Sequence, residues 1–208
     1  MLFHALEWLN AQRIVLASGS PRRSELLSML RLSFTVNKSQ FDEKSLNKSD
    51  FATPAAFVQT NALRKAEEVA ERMKNEFDLI IGSDTVVVQD DRILEKPESD
   101  EAAAEMIRHL AGKTHYVATG VALIFHKDGE TVHETFCTQT DVTFAHLTDE
   151  EIRAYVATGD GHDKAGAYGI QSCAGALIES IQGDYYTVVG LPLHALCKRL
   201  VAWADGST

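Results

Sequence analysis

Cysteine is scarce in this sequence. Its three cysteines, Cys137, Cys173 and Cys197, stand far apart and form no CxxC pair. That excludes a zinc ribbon or a disulfide framework and suits a reducing, cytoplasmic setting. Positive charge is also in short supply: 20 Lys and Arg against 30 Asp and Glu give a formal net charge of −10. A nucleic-acid polymer prefers a basic face, so long DNA or RNA is a poor partner, while a small anion held by a local cluster of bases stays open. No run of about 18 apolar residues occurs, so no segment is expected to cross a membrane. The opening "MLFHALEWLN" lacks a basic n-region and carries Glu7 inside its apolar stretch, which predicts a short amphipathic helix and not a signal peptide. The histidines show no HExxH-like spacing, so no transition-metal site is expected. Repeats, low-complexity tracts and linker composition are missing as well, so residues 1–208 are expected to form one domain.

What is present alternates between two periodicities. "RIVLAS" (13–18) reads as a buried strand feeding a helix at Ser20-Pro21, "LSFTV" as a second strand, and residues 38–50 as a polar, mobile loop. From Pro54 to Phe77 the apolar spacing is helical, with Ala62, Ala66, Val69, Ala70 and Met73 on one face. "DLIIGSDTVVV" predicts a strand interrupted at Gly82-Ser83-Asp84, and "DDRIL" a turn and a returning strand. "SDEAAAEMIRHLAG" is a capped helix closed by Gly112, and "TDEEIRAYVATG" is another, ending at Gly159. "HYVATGVALIFH", the turn "KDGE" and "TVHETFCTQTDVTF" form a hairpin, and "LPLHALCKRLVAW" a last helix. The fold class is therefore α/β, a mixed twisted sheet with helices on its faces.

Chemistry concentrates at the ends of these elements. In "LASGSPRRSELL" a favoured N-cap, Ser20, and a Pro at the first helical position precede Arg22 and Arg23, two cations at the positive end of a helix. A pairing with Glu25 or solvation would explain one arginine. Two together break a local rule, as functional sites do. An anion there would meet helix N–H groups, the Ser18 and Ser20 hydroxyls and guanidinium forks that match phosphate oxygens. No Gly-Lys-Ser/Thr follows, so this is not a Walker A loop. Asp84 lies in an otherwise apolar strand, where a carboxylate is costly unless paired or bound to metal. It is either a hydrogen-bonded turn residue at a bulge or a general base or Mg²⁺ ligand. Lys65, at the border of the buried face of its helix, is read either as a snorkelling lysine or as a site cation. Lys96, set at a strand end by Pro97, has the same two readings. "GHDKAGAYGIQ" adds Gly161, Gly166 and Gly169 around Asp163, Lys164 and Gln171. As a set, these cations and carboxylates describe a pocket for a polyphosphate with a divalent metal.

The blocks "LASGSPRRSELL", "NALRKA", "GSDTVV", "ILEKP", "DKAGAYGIQ" and "GDYYTVVGLPL" resemble, in order, the signature blocks of the Maf family of nucleoside triphosphate pyrophosphatases, the septum formation inhibitor-like proteins. The resemblance runs from about Arg13 to Leu200, with residues 1–12 as an extension. It implies two lobes around a deep cleft, homodimers in many members, and metal-dependent hydrolysis of a nucleoside triphosphate to the monophosphate and pyrophosphate. It assigns Asp84 as proton acceptor and gives Ser18, Arg23, Lys65 and Lys96 to the substrate. Glu43 and Asp84 are its expected ligands for Mg²⁺ or Mn²⁺. Arg22, Thr85 and Gln171 match the subgroup acting on dTTP and UTP. Ser83 replaces a more usual alanine, and Asp160-Gly161-His162 stands where the family more often has Glu-Pro. The implied partner is a small-molecule nucleoside triphosphate, thymine- or uracil-bearing or a modified pyrimidine. The alternative is a nucleotide-binding regulator of cell division with little turnover.

Overall fold

The computed structural model describes residues 2–74, 76–127 and 129–206. A short 3-10 turn and α1 (Leu6–Asn10) precede β1 (Ile14–Leu16), which leads into α2 (Pro21–Met29) and β2 (Thr35–Val36). Next come α3 (Pro54–Met73), β3 (Leu79–Gln89), β4 (Arg92–Leu94), α4 (Asp100–Leu110), β5 (Thr114–Lys127) and β6 (Glu130–Phe144). The chain closes with α5 (Asp149–Val156), β7 (Ile178–Gln182), α6 (Tyr185–Val189) and α7 (Leu193–Ala204). The sheet has seven strands in the order β2-β1-β3-β5-β6-β7, with β4 pairing β3. β1 runs parallel to β2 and β3, with Ile14 opposite Leu79 and Leu16 opposite Ile81, whereas β3–β4 and β6–β7 are antiparallel. The mixed α/β class is as expected. Among the described residues no helix is long and apolar enough to cross a membrane, and the three cysteines are free thiols.

The chain divides into two compact units, Met1–Asp84 with Thr119–Thr138 and Gly190–Thr208, and Thr85–Ala118 with Gln139–Val189. The first is organised around α3. Thr53 caps it, its hydroxyl accepting from the Ala56 N–H at 3.1 Å. Ala62, Ala66 and Val69 then pack with Val15, Phe77, Ile80 and Ile124 in one core, as the helical spacing predicts. Two glycines set how close α3 lies to the strands. A Cβ on Gly82 would stand 2.3 Å from the Ala62 carbonyl oxygen, and one on Gly120 2.5 Å from that of Val58. Backbone meets backbone there.

The second unit packs Ile107 and Leu110 of α4 with Ile152 and Tyr155 of α5 against Val117, Val142 and Phe144 of the strands. Ser99 caps α4 and a Thr148/Glu151 capping box starts α5. Between Gln89 and Arg92, which pair, Asp90 and Asp91 both take positive φ, 50° and 59°, as a mirror-image hairpin turn demands.

Four expectations need correction. β3 is one unbroken strand from Leu79 to Gln89, with no interruption at Gly82-Ser83-Asp84, because flanking residues are paired on both sides with β1 and β4. "LSFTV" keeps only Thr35–Val36 as strand. Ser20 occupies the N-cap of α2, yet its side chain makes no capping bond. α3 ends at Met73, where Lys74 takes φ 52°, and does not reach Phe77. Residues 165–183, glycine-rich in sequence, also hold β7. The "KDGE" turn includes Asp128, which lies outside the described residues.

Candidate active site

The first unit holds six of the sequence candidates. β1 delivers the chain to Ser18, and the Ala17 N–H continues the pairing by donating to the Ile81 carbonyl at 2.8 Å. The buried Ser18 Oγ accepts from Arg23 Nη1 at 3.0 Å and from the Ser20 N–H at 3.2 Å. Its own proton therefore stays available for a ligand. Arg23 also donates through Nε to the Gly190 carbonyl at 2.9 Å, the same oxygen that accepts from Ser83 Oγ at 3.0 Å. Burial lowers the Arg23 pKa and neighbouring Arg22 adds to that, while Asp84 and Glu43 oppose it. A guanidinium stays charged under such a shift. Glu25 plays no part in these contacts.

Next to Ser83, the buried Asp84 faces α3. Lys65 Nζ stands 2.8 Å from Asp84 Oδ1 and 2.9 Å from Glu43 Oε2, with the lysine and aspartate side chains only 10% and 11% exposed. Lys65 is thus no snorkelling lysine, and Asp84 no turn residue. An almost enclosed ammonium joins two carboxylates. Asn61, one helical turn before Lys65, donates through Nδ2 to Glu43 Oε2 at 3.4 Å. Burial acts to raise the Glu43 pKa, but Lys65, Asn61 and Arg23 outweigh it and hold the carboxyl below its usual range. Lys48, on the segment expected to be an irregular loop, is lowered by burial and held up by the Asp84 charge. That segment contains two 3-10 turns, Glu43–Ser45 and Lys48–Asp50, capped by Asp42 and Asn47.

The donor set suits a hard divalent cation. Glu43 and Asp84 supply carboxylate oxygens, and the Asn61 Oδ1, buried and without a hydrogen-bond partner, adds an amide oxygen beside them. Among the described residues no group of three or more His, Cys, Asp and Glu side chains forms a cage. Mg²⁺ needs none, since it binds through one or two carboxylates and completes its shell with water and substrate phosphates.

Three other candidates, Thr85, Lys96 and Gln171, belong to the second unit. Thr85 is half-buried on β3 immediately after Asp84, and Lys96 is exposed just past β4, ahead of the buried Pro97. Gln171 is exposed within a turn closed by the Ser172 N–H on the Gly169 carbonyl at 3.1 Å. Arg22, half-buried, stays with Arg23 on the first turn of α2.

Sequence reasoning missed Asn61, Lys48 and the Gly190 carbonyl. Asn61 alone left a signal, a polar side chain four residues before Lys65 on the buried face of a helix. Ser83, in place of the more usual alanine, makes a buried bond.

The sequence model of the family described as Maf-like protein matches residues 13–203. A protein of Bacillus mycoides named dTTP/UTP pyrophosphatase is 46% identical over 189 residues, 91% of this chain and 94% of its own. One of Bacillus cytotoxicus with the same name is 45% identical over 197 residues, 95% of this chain and 98% of its own.

Proposed function

Since the chain belongs to the Maf-like protein family, we propose that it is a pyrophosphatase that hydrolyses dTTP and UTP to the nucleoside monophosphate and pyrophosphate. The observation that carries this reading is the Lys65 ammonium seated between Asp84 and Glu43 in the unit that also holds the Ser18–Arg23 pair.

Asp84 is the general base. Its Oδ1 is held by Lys65, which leaves Oδ2 to take the proton of a water aimed at the α-phosphorus. Arg23, fixed by Ser18 and Gly190, brings its guanidinium charge to the phosphate oxygens, together with the Ser18 hydroxyl. Lys96 adds positive charge to the leaving pyrophosphate. Glu43, Asp84 and the Asn61 amide oxygen would hold Mg²⁺ or Mn²⁺, which when bound supplies neutralisation of phosphate charge. Thr85, Arg22 and Gln171 select the base. Uracil and thymine present an N3–H donor beside carbonyl acceptors, and one glutamine amide answers both. A regulator that only bound nucleotide would have no use for a buried carboxylate aligned by a lysine, so turnover is the better reading.

The test is a panel of triphosphates with Mg²⁺ or Mn²⁺, assayed for pyrophosphate and for orthophosphate. UTP and dTTP should rank above CTP and well above ATP and GTP, with pyrophosphate as the primary product. Primary release of orthophosphate, or ATP or GTP as the best substrate, rejects the reading.

A further inference from the structure

Around Gln171 the second unit invests a half-buried carboxylate that the proposed reaction leaves unused. Asp160 Oδ2 accepts from Ser172 Oγ at 2.5 Å and from Tyr155 OH at 3.5 Å. Lys164 Nζ donates to the Asp160 main-chain carbonyl, stands 3.5 Å from Asp160 Oδ1 and bonds Asp163 Oδ1 at 2.7 Å. The Lys164 stem lies so close over Gly169 that a Cβ there would come within 2.7 Å of its Cδ and Cε. Ser172 also points its hydroxyl at the Gly169 carbonyl, 2.7 Å away, and closes the turn 169–172 with its N–H. Upstream, Tyr155 OH donates to the Ala167 carbonyl at 2.9 Å, and Tyr168 OH pairs with His115 Nε2 at 2.6 Å.

A surface turn closes with one main-chain bond. This one is held on both sides, by a lysine stem before Gln171 and by a carboxylate–hydroxyl bond directly after it, while Gln171 itself is exposed. Charge-assisted bonds of this kind are the stronger class. The turn's rigidity has a chemical use. A glutamine amide that can rotate by half a turn serves cytosine as well as uracil, because it exchanges its donor and acceptor. Only an amide held in one orientation tells the two apart.

We propose that Asp160 is a positioning residue for base recognition: through Ser172 and Lys164 it fixes the turn that presents Gln171, and so the place from which the Gln171 amide meets the base. The proposal rests on Gln171 as the base-reading side chain.

The experiment compares kcat/KM for UTP and CTP in the full chain and in Gln171→Ala, Asp160→Ala, Asp160→Asn, Ser172→Ala and the Asp160→Ala/Ser172→Ala double variant. Loss of one hydrogen bond's worth of discrimination should lower the UTP-to-CTP ratio roughly tenfold in Asp160→Ala and in Ser172→Ala. Asp160→Asn keeps an acceptor and should keep most of the ratio. The double variant should be no worse than either single one, as expected for two ends of one contact. A merely structural role would lower the active fraction and scale both substrates alike, leaving the ratio unchanged. An unchanged ratio in Asp160→Ala and Ser172→Ala, with a lowered one in Gln171→Ala, overturns the proposal. An unchanged ratio in Gln171→Ala overturns the base-reading assignment, and the role of Asp160 falls with it. Should Asp160→Ala fail to fold, Ser172→Ala decides alone.

Discussion

Asp84 is held by the Lys65 ammonium at 2.8 Å. Replacing it with Asn keeps its size and removes its basicity, so turnover should fall by about 10²–10⁴-fold, the usual worth of a general base. Circular dichroism should show the fold retained, and near-normal turnover would mean that Asp84 is structural. In the second unit, His115 makes a different prediction. Burial lowers its pKa from 6.5 to about 4, and its Nδ1 is buried without a partner. The native state therefore keeps the ring neutral at pH values where the unfolded chain takes up a proton. The stability this secures is present above pH 6.5 and is lost as pH falls towards 4, a loss on the order of 3 kcal/mol. The urea midpoint should drop across that window, and less steeply in His115→Gln. At this scale the sequence was only half legible. The unusual pairing of two arginines with a helix start was visible in "SPRR", and Asp84 stood out against its apolar strand. The partners of Lys65 were not visible, because Asp84 lies 19 residues away and Asn61 bonds Glu43 across 18.

Elements were more legible than their joints. α3 follows from its spacing, and α4 and α5 from their caps, because those signals are local. β3 misled because Gly, Ser and Asp each favour turns, whereas pairing with β1 and β4 overrides such preferences. β7 and α6, five residues each, are too short to show a period. Gly82 read as a break and turns out to be a contact: it brings α3 down onto β3, and that sets where Lys65 meets Asp84. Gly82→Ala should therefore push α3 outward. Overpacking of this kind costs about 1–3 kcal/mol, so thermal melting should show a lowered Tm. Activity should fall further than the Tm shift accounts for, since the Lys65–Asp84 distance of 2.8 Å depends on that approach.

For the molecule as a whole the governing number is the net charge of −10. A protein so negative repels a polyphosphate at long range, and a few local cations must reverse that field at the site. Metal complexation of the nucleotide eases the problem, because the anion then arrives partly neutralised. EDTA should stop turnover and Mg²⁺ or Mn²⁺ restore it. Glu43→Gln should raise the metal concentration for half-maximal rate by roughly tenfold or more, measured by titrating metal at fixed UTP.

One oxygen of the first unit sets the order of events during synthesis. The Gly190 carbonyl accepts from Arg23 and from Ser83, across 167 and 107 residues of chain. A ribosome delivers the Ser18 loop, α3 and Asp84 first, and this acceptor 107 residues after Ser83. While the chain is still growing, Arg23 and Ser83 lack the oxygen they share. The contacts that fix Arg23 and Ser83 are therefore completed only when Gly190 joins them.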